Sequence, residues 1–205
     1  MDDFLLSITL GEYIAAANAR DFSMFFAING MTALADSYKI IADDELRHFW
    51  LLKSVIKGGA SIPNQIRSIY KGSFLAEAPS LSLHSIFERM AVMHTVFEGA
   101  AFAYMSLLAK FEFENERMQS IQGIAKIIMI DEARHMAEGF HALDHMKKTM
   151  VTESFAQGTK AYVERNAIAL RELPAQTITE NNDFTSNLYQ LYDDNVSKNM
   201  RRVYR

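Results

Sequence analysis

The chain is 205 residues long, 49 % hydrophobic and 22 % charged, with a formal net charge of -4. That length can bury a core around a polar site, and the mildly acidic balance argues against a nucleic acid or an anionic membrane as partner. The absence of Cys excludes disulfides, thiolate zinc sites, iron-sulfur clusters and a rubredoxin-type electron relay within the chain.

Only 9 Gly and 3 Pro punctuate a sequence rich in Ala, Leu, Met, Glu and Lys, which predicts an all-α fold. Helix 1 is expected from about Asp3 to Ala27, with Asp2 or Asp3 near its N-cap and the run Arg20, Asp21, Phe22, Ser23 as a candidate interruption. A turn at Asn29 and Gly30 leads into helix 2, from about Met31 to Lys57, which Gly58 and Gly59 should end. A long connection holding Pro63 and Pro79 follows, with room for a short helix around Asn64 to Tyr70. Helix 3 should start at Ser80 or Ser82 and reach about Glu112, and the charged stretch from Glu112 to Arg117 should form the next turn. Helix 4 spans roughly Met118 to Met150. Thr152 to Leu173 then reads as one helix ended by Pro174, and Thr185 to Val203 as a last helix with a basic end, Arg201, Arg202 and Arg205. The reading is one domain over 1–205, with the main bundle over about 3–150 and a helical extension over about 151–205. The acidic start, Met1, Asp2, Asp3, and the lack of an uninterrupted apolar run of roughly 18 to 20 residues lead us to expect a soluble, cytoplasmic protein without a membrane partner.

Two stretches repeat almost letter for letter: Asp44, Glu45, Leu46, Arg47, His48 and Asp131, Glu132, Ala133, Arg134, His135. Residues three apart share a helix face, so each copy aims a carboxylate and an imidazole at one point. Each is a metal half-site. Carboxylate-bridged dinuclear centres in four-helix bundles use six ligands, a Glu and a Glu-x-x-His pair from each half. Glu12 and Glu98 complete the set: both lie in apolar runs where a lone charge would be costly, 33 and 34 residues before Glu45 and Glu132. Facing residues of a hairpin are equidistant from its turn, and the midpoints fall at about residue 29 and about residue 116. Both are turn candidates. The metal set is therefore Glu12, Glu45, His48, Glu98, Glu132 and His135.

Asp44 and Asp131 are candidates to hold the outer nitrogen of a ligating His, each serving the opposite copy; the plain alternative is a solvated acid beside Arg. Arg47 and Arg134 should pair with acids at the surface. His141 and His145 fall on the far face of helix 4 and should be exposed, and His84 lies about 21 Å along the helix from Glu98, too far to ligate. His94 lies one turn before Glu98. It is either a seventh ligand or an imidazole hydrogen-bonded to Tyr38 or a ligand carboxylate, and the second is preferred. Ala15, Ala16, Ile41, Phe49, Gly99, Phe102, Met105, Ile128 and Gly139 fall on or beside the ligand faces. The small ones could leave room for a substrate, and ordinary core packing accounts for the set equally well.

Over about residues 5 to 145 the six positions resemble the ferritin-like superfamily of di-iron carboxylate proteins. Particular subfamilies fit less well. Leu52 stands where ribonucleotide reductase small subunits carry a radical Tyr. Ile14 and Met93 stand at the Val and Tyr places of the crosslinked ligand-binding oxidases, Ala101 and Phe102 where hydroxylases and desaturases place a Thr, and Leu46 where bacterioferritins place a haem-ligating Met. The p-aminobenzoate-type N-oxygenases own an extra His four residues before the fourth-helix Glu, where this chain has Ile128. The resemblance implies a ferritin-like four-helix bundle with a long crossover between helices 2 and 3 and extra C-terminal helices. It implies a non-haem di-iron oxidase or oxygenase that activates O2 at two Fe ions, with Mn or mixed Fe/Mn as variants, to oxidise a small apolar or aromatic organic molecule. Electrons would come from an external donor, a ferredoxin or a reductase, and the expected assembly is a homodimer. The alternatives are a ferroxidase or iron-handling protein without organic substrate, and a scaffold with a vestigial site.

Overall fold

The computed structural model describes residues 2–56, 80–110, 116–172 and 182–204. The expected Gly58 and Gly59 stop, the short helix at Asn64 to Tyr70, Pro63, Pro79, most of the second turn and Pro174 lie outside these residues.

Among the described residues every regular element is a helix. α1 is Asp2–Ile28 and α2 is Thr32–Val55. α3 is Leu83–Lys110, and within it Met93–Phe97 is wound as a π turn. α4 is Glu116–Thr149, α5 is Glu153–Gly158, α6 is Lys160–Arg171 and α7 is Asn182–Val203. α1 packs on α2, α3 on α4, and α2 on α4, so four long helices surround one core. α7 lies against α3 and its π turn, and α6 against the first half of α3.

The α1–α2 hairpin closes where expected. Gly30 adopts φ 75, the left-handed region that suits a residue without Cβ. Its N–H bonds to Ala27 O at 3.1 Å and Met31 N–H to Phe26 O at 2.9 Å, which ties off the carbonyls at the end of α1. Ser82 caps α3, accepting from the Ser85 N–H at 3.3 Å.

Three expectations about elements are corrected. The polar run at Arg20 to Ser23 does not interrupt α1, because its side chains find partners elsewhere. Asp21 accepts from Arg89 at 2.8 Å, and Ser23 donates to Ala35 O at 2.8 Å. The single helix expected from Thr152 to Leu173 is, over its described part, two helices, since Thr159 folds back on α5, donating to Ala156 O at 2.7 Å and bonding the Tyr204 hydroxyl at 2.9 Å. The last helix begins at Asn182, three residues before Thr185.

α3 is apolar and long enough to cross a membrane by composition, but 94 % of its most apolar window is covered by the rest of the protein. Phe22, Phe26 and Tyr38 pack ring on ring beneath it, with centroids 5.4 to 5.5 Å apart. Arg89 is the one Arg on α3 and is 7 % exposed; it also donates to Asn18 Oδ1 and Ser80 O, both at 2.8 Å. These neutral and charged partners answer the cost of burying a guanidinium.

Candidate metal centre

All six expected ligands are brought together, one each from α1 and α3 and two each from α2 and α4, and none is more than 1 % exposed. Their donor atoms form two quartets, Glu12, Glu45, His48, Glu132 and Glu45, Glu98, Glu132, His135, each with atoms within 4.8 Å of one another. Glu45 and Glu132 belong to both. A carboxylate has two oxygens, so these two residues can each face two cations at once, as a bridged dinuclear centre requires.

Both imidazoles turn Nδ1 inward. His48 Nδ1 lies 3.3 Å from Glu12 and 3.5 Å from Glu45 and from Glu132. His135 Nδ1 lies 3.0 Å from Glu45, 3.7 Å from Glu132 and 3.9 Å from Glu98. The outer nitrogens reach across the repeat as expected: His48 Nε2 donates to Asp131 at 3.1 Å, and His135 Nε2 is 3.6 Å from Asp44. Arg47 binds both aspartates, at 2.8 Å and 2.6 Å, and Arg134 pairs with Asp44 and, at 3.6 Å, with Asp131. The aspartates are thus half-buried corners of a charge ring rather than free solvated acids.

Within the centre, seven buried side-chain atoms make no well-directed hydrogen bond among the described residues, although His135 Nδ1 and Glu45 form an ion-pair contact at 3.0 Å: both oxygens of Glu45 and of Glu98, one of Glu12, one of Glu132, and His135 Nδ1. Buried donors and acceptors are nearly always satisfied. Seven such atoms gathered in two adjoining quartets are compatible with a metal site.

Protonation carries the same message. Burial, then the charge of Glu45, holds the Glu12 carboxyl well above its usual range. Burial, then Glu132 and Glu45, does the same to Glu98. Burial would also raise Glu45 and Glu132, but hydrogen bonds and the two imidazoles outweigh it and hold both below the usual range. Burial would lower His48 and His135, yet the carboxylates raise both, His135 to about 10. The charges of four carboxylates and two dications cancel, so the donor set suits a pair of divalent ions.

His94 is fully buried and sits in the π turn. Its Nε2 shares a 2.8 Å hydrogen bond with the Tyr38 hydroxyl, and its Nδ1, 3.8 Å from Glu98, has no other partner among the described residues. Burial, then the charge of His135, lowers it to about 3, so it is neutral. Its ring rests on Gly139, where a Cβ would come within 2.0 Å. That packing role of Gly139 and the π turn had no signal in the sequence.

His84 stacks on Phe155 at 4.0 Å, away from the centre. His141 is exposed as expected, whereas His145 is half-buried rather than exposed. Ala15, Ala16, Ile41, Phe49, Gly99, Met105, Ile128 and Gly139 are buried and Phe102 half-buried. No family model matches the chain, and neither a curated protein nor a solved structure matches it.

Proposed function

We propose that this chain is a ferritin-like, non-haem di-iron oxidase or oxygenase, with O2 and a small, mostly apolar organic molecule as substrates and electrons from an external donor. The observation that carries the reading is the pair of buried quartets sharing Glu45 and Glu132. Glu12 and His48 would hold one ion, Glu98 and His135 the other, and Glu45 and Glu132 both. When bound, a pair of iron ions supplies the redox chemistry needed to activate O2.

The chain's own contribution is geometry and exclusion of water. Asp131 holds the His48 imidazole by Nε2, which fixes Nδ1 as its inward nitrogen, and Asp44 stands 3.6 Å from the His135 Nε2. The surrounding core keeps the carboxylates dry, so their charge is screened little. Tyr38 and His94 place a neutral hydrogen-bonded pair beside Glu98, which can orient that carboxylate without adding charge.

The test is anaerobic reconstitution with Fe(II), followed by metal analysis and an oxygen electrode. The reading expects two ions per chain and O2 uptake once a reductant is present. Saturation at one ion would overturn it, and uptake far beyond two ions with mineral formation would move the reading to iron storage.

A further inference from the structure

Beside the centre, α4 and α7 enclose a groove of about 680 Å3. Small-molecule sites span roughly 300 to 1,000 Å3 and combine apolar walls with a few placed polar groups. Here Ala133, Met136 and Phe140 form an apolar wall, and Lys198, Arg201 and Arg202 form a cationic one. No acidic residue lines it. Among the described residues none of the three cations makes an ion pair, and Arg202 is positioned over the Phe140 ring at 4.4 Å. In a chain of net charge -4, three unpaired cations along one groove form a local positive potential suited to an anion.

The inner end of the groove is closed by residues next in sequence to the expected ligands. Asn199 is 6 % exposed and closes that end, donating to Thr95 O at 3.3 Å and touching Met136 Sδ at 3.5 Å. Its amide nitrogen lies 2.9 Å from where a Cβ on Gly99 would be. Met136 follows His135 and Gly99 follows Glu98, so the two residues that Asn199 packs against are chain neighbours of two of the expected ligands.

We propose that this groove binds a small amphipathic carboxylate, the head on Lys198, Arg201 and Arg202 and the apolar body along Met136 towards Asn199, and that it receives the organic substrate. The substrate role rests on the di-iron reading above, whereas carboxylate binding does not. Guanidinium and ammonium groups bind a carboxylate through charge-assisted hydrogen bonds that an alcohol cannot match.

The experiment uses the full chain with decanoate and decan-1-ol as probes, by calorimetry. Decanoate should bind more tightly than the alcohol by about tenfold or more, with or without Mn(II) loaded. The exposed, unpaired Lys198→Gln and Arg201→Gln pair should leave the melting temperature unchanged and abolish most of that preference. Equal binding of the two probes, or a preference that survives the double substitution, would overturn the proposal. With Mn(II) in place, the decanoate methyl resonance should broaden more than the methylene beside its carboxylate; equal or reversed broadening would overturn the substrate role. Failure to load Mn(II) while the decanoate preference stands would defeat the di-iron reading alone, and loading without the preference would defeat the groove alone.

Discussion

His48 and Asp131 come from opposite copies of the repeat, and the Nε2 of the first donates to the second at 3.1 Å. The matching contact between His135 and Asp44 is longer, 3.6 Å. Partners of this kind set ring orientation and metal affinity, and their loss costs about 10- to 100-fold in affinity. Asp131→Ala should therefore weaken metal binding by that order, and more than Asp44→Ala does. Competitive titration against a chelator measures both. Unchanged affinity in Asp131→Ala would show that packing alone orients His48.

Sharing makes the six ligands unequal. Glu45→Ala or Glu132→Ala removes a donor from both quartets and should abolish binding of both ions, whereas Glu12→Ala or Glu98→Ala strikes one quartet and should leave about one ion per chain. Metal analysis on the four variants, with circular dichroism as a check on folding, decides the matter. Equal losses in all four would contradict the sharing.

Metal loading should expel protons. Glu12 and Glu98 stand above their usual range and His48 and His135 are held protonated, so loading two dications should displace protons near pH 7. Calorimetry in buffers of different ionisation enthalpy counts them. The sign for stability follows. The His135 contribution, with its pKa raised to about 10, is fully present below about 6.5 and disappears as pH rises through 10. Glu12 and Glu98 act in the same direction. Lowered Glu45 and Glu132, and His94 with its value near 3, lose their contributions only as pH falls. The metal-free melting temperature should thus decline from pH 6.5 to 9.5, while metal affinity grows. A metal-free melting temperature that rises over that window would refute the assigned charges.

His94 and Gly139 fit only each other. Gly139→Ala drives a Cβ to 2.0 Å from the ring, and overpacking of a rigid site costs about 1 to 3 kcal/mol. Adding His94→Ala should recover much of that loss, a coupling that denaturant titration of the four-member cycle can read. His94→Ala alone should keep both metals and slow the reaction with O2. Loss of one ion in that variant would make His94 a direct ligand.

The centre was legible because charged residues in apolar runs are conspicuous and because an i,i+3 pair fixes its own face. Asn29 and Gly30 announced the first hairpin by turn chemistry, and the adjoining aspartates announced the support of the histidines. What stayed hidden depends on contacts distant in sequence. Arg20 to Ser23 looked like a break because Arg89 and Ala35 O, their relief, are supplied by other helices. Nothing in Met93 to Phe97 marks an extra residue per turn. The π turn coincides with the docking of α7, where Asn199 reaches the Thr95 carbonyl. The extension from Thr152 kept one helical pattern although Thr159 splits it, because the hydroxyl that holds the bend belongs to Tyr204.

Each quartet draws three residues from one hairpin and one from the other: Glu132 reaches over to Glu12, Glu45 and His48, and Glu45 returns the reach. Neither half of the chain can close a four-donor cage alone. An ion in either place would rivet α2 to α4, so that parting the hairpins requires breaking coordination bonds as well as withdrawing side chains from the core. Occupancy would then be written into the opening rate of the α2–α4 seam, and amide exchange along that seam would serve as a gauge of it far from any catalytic assay.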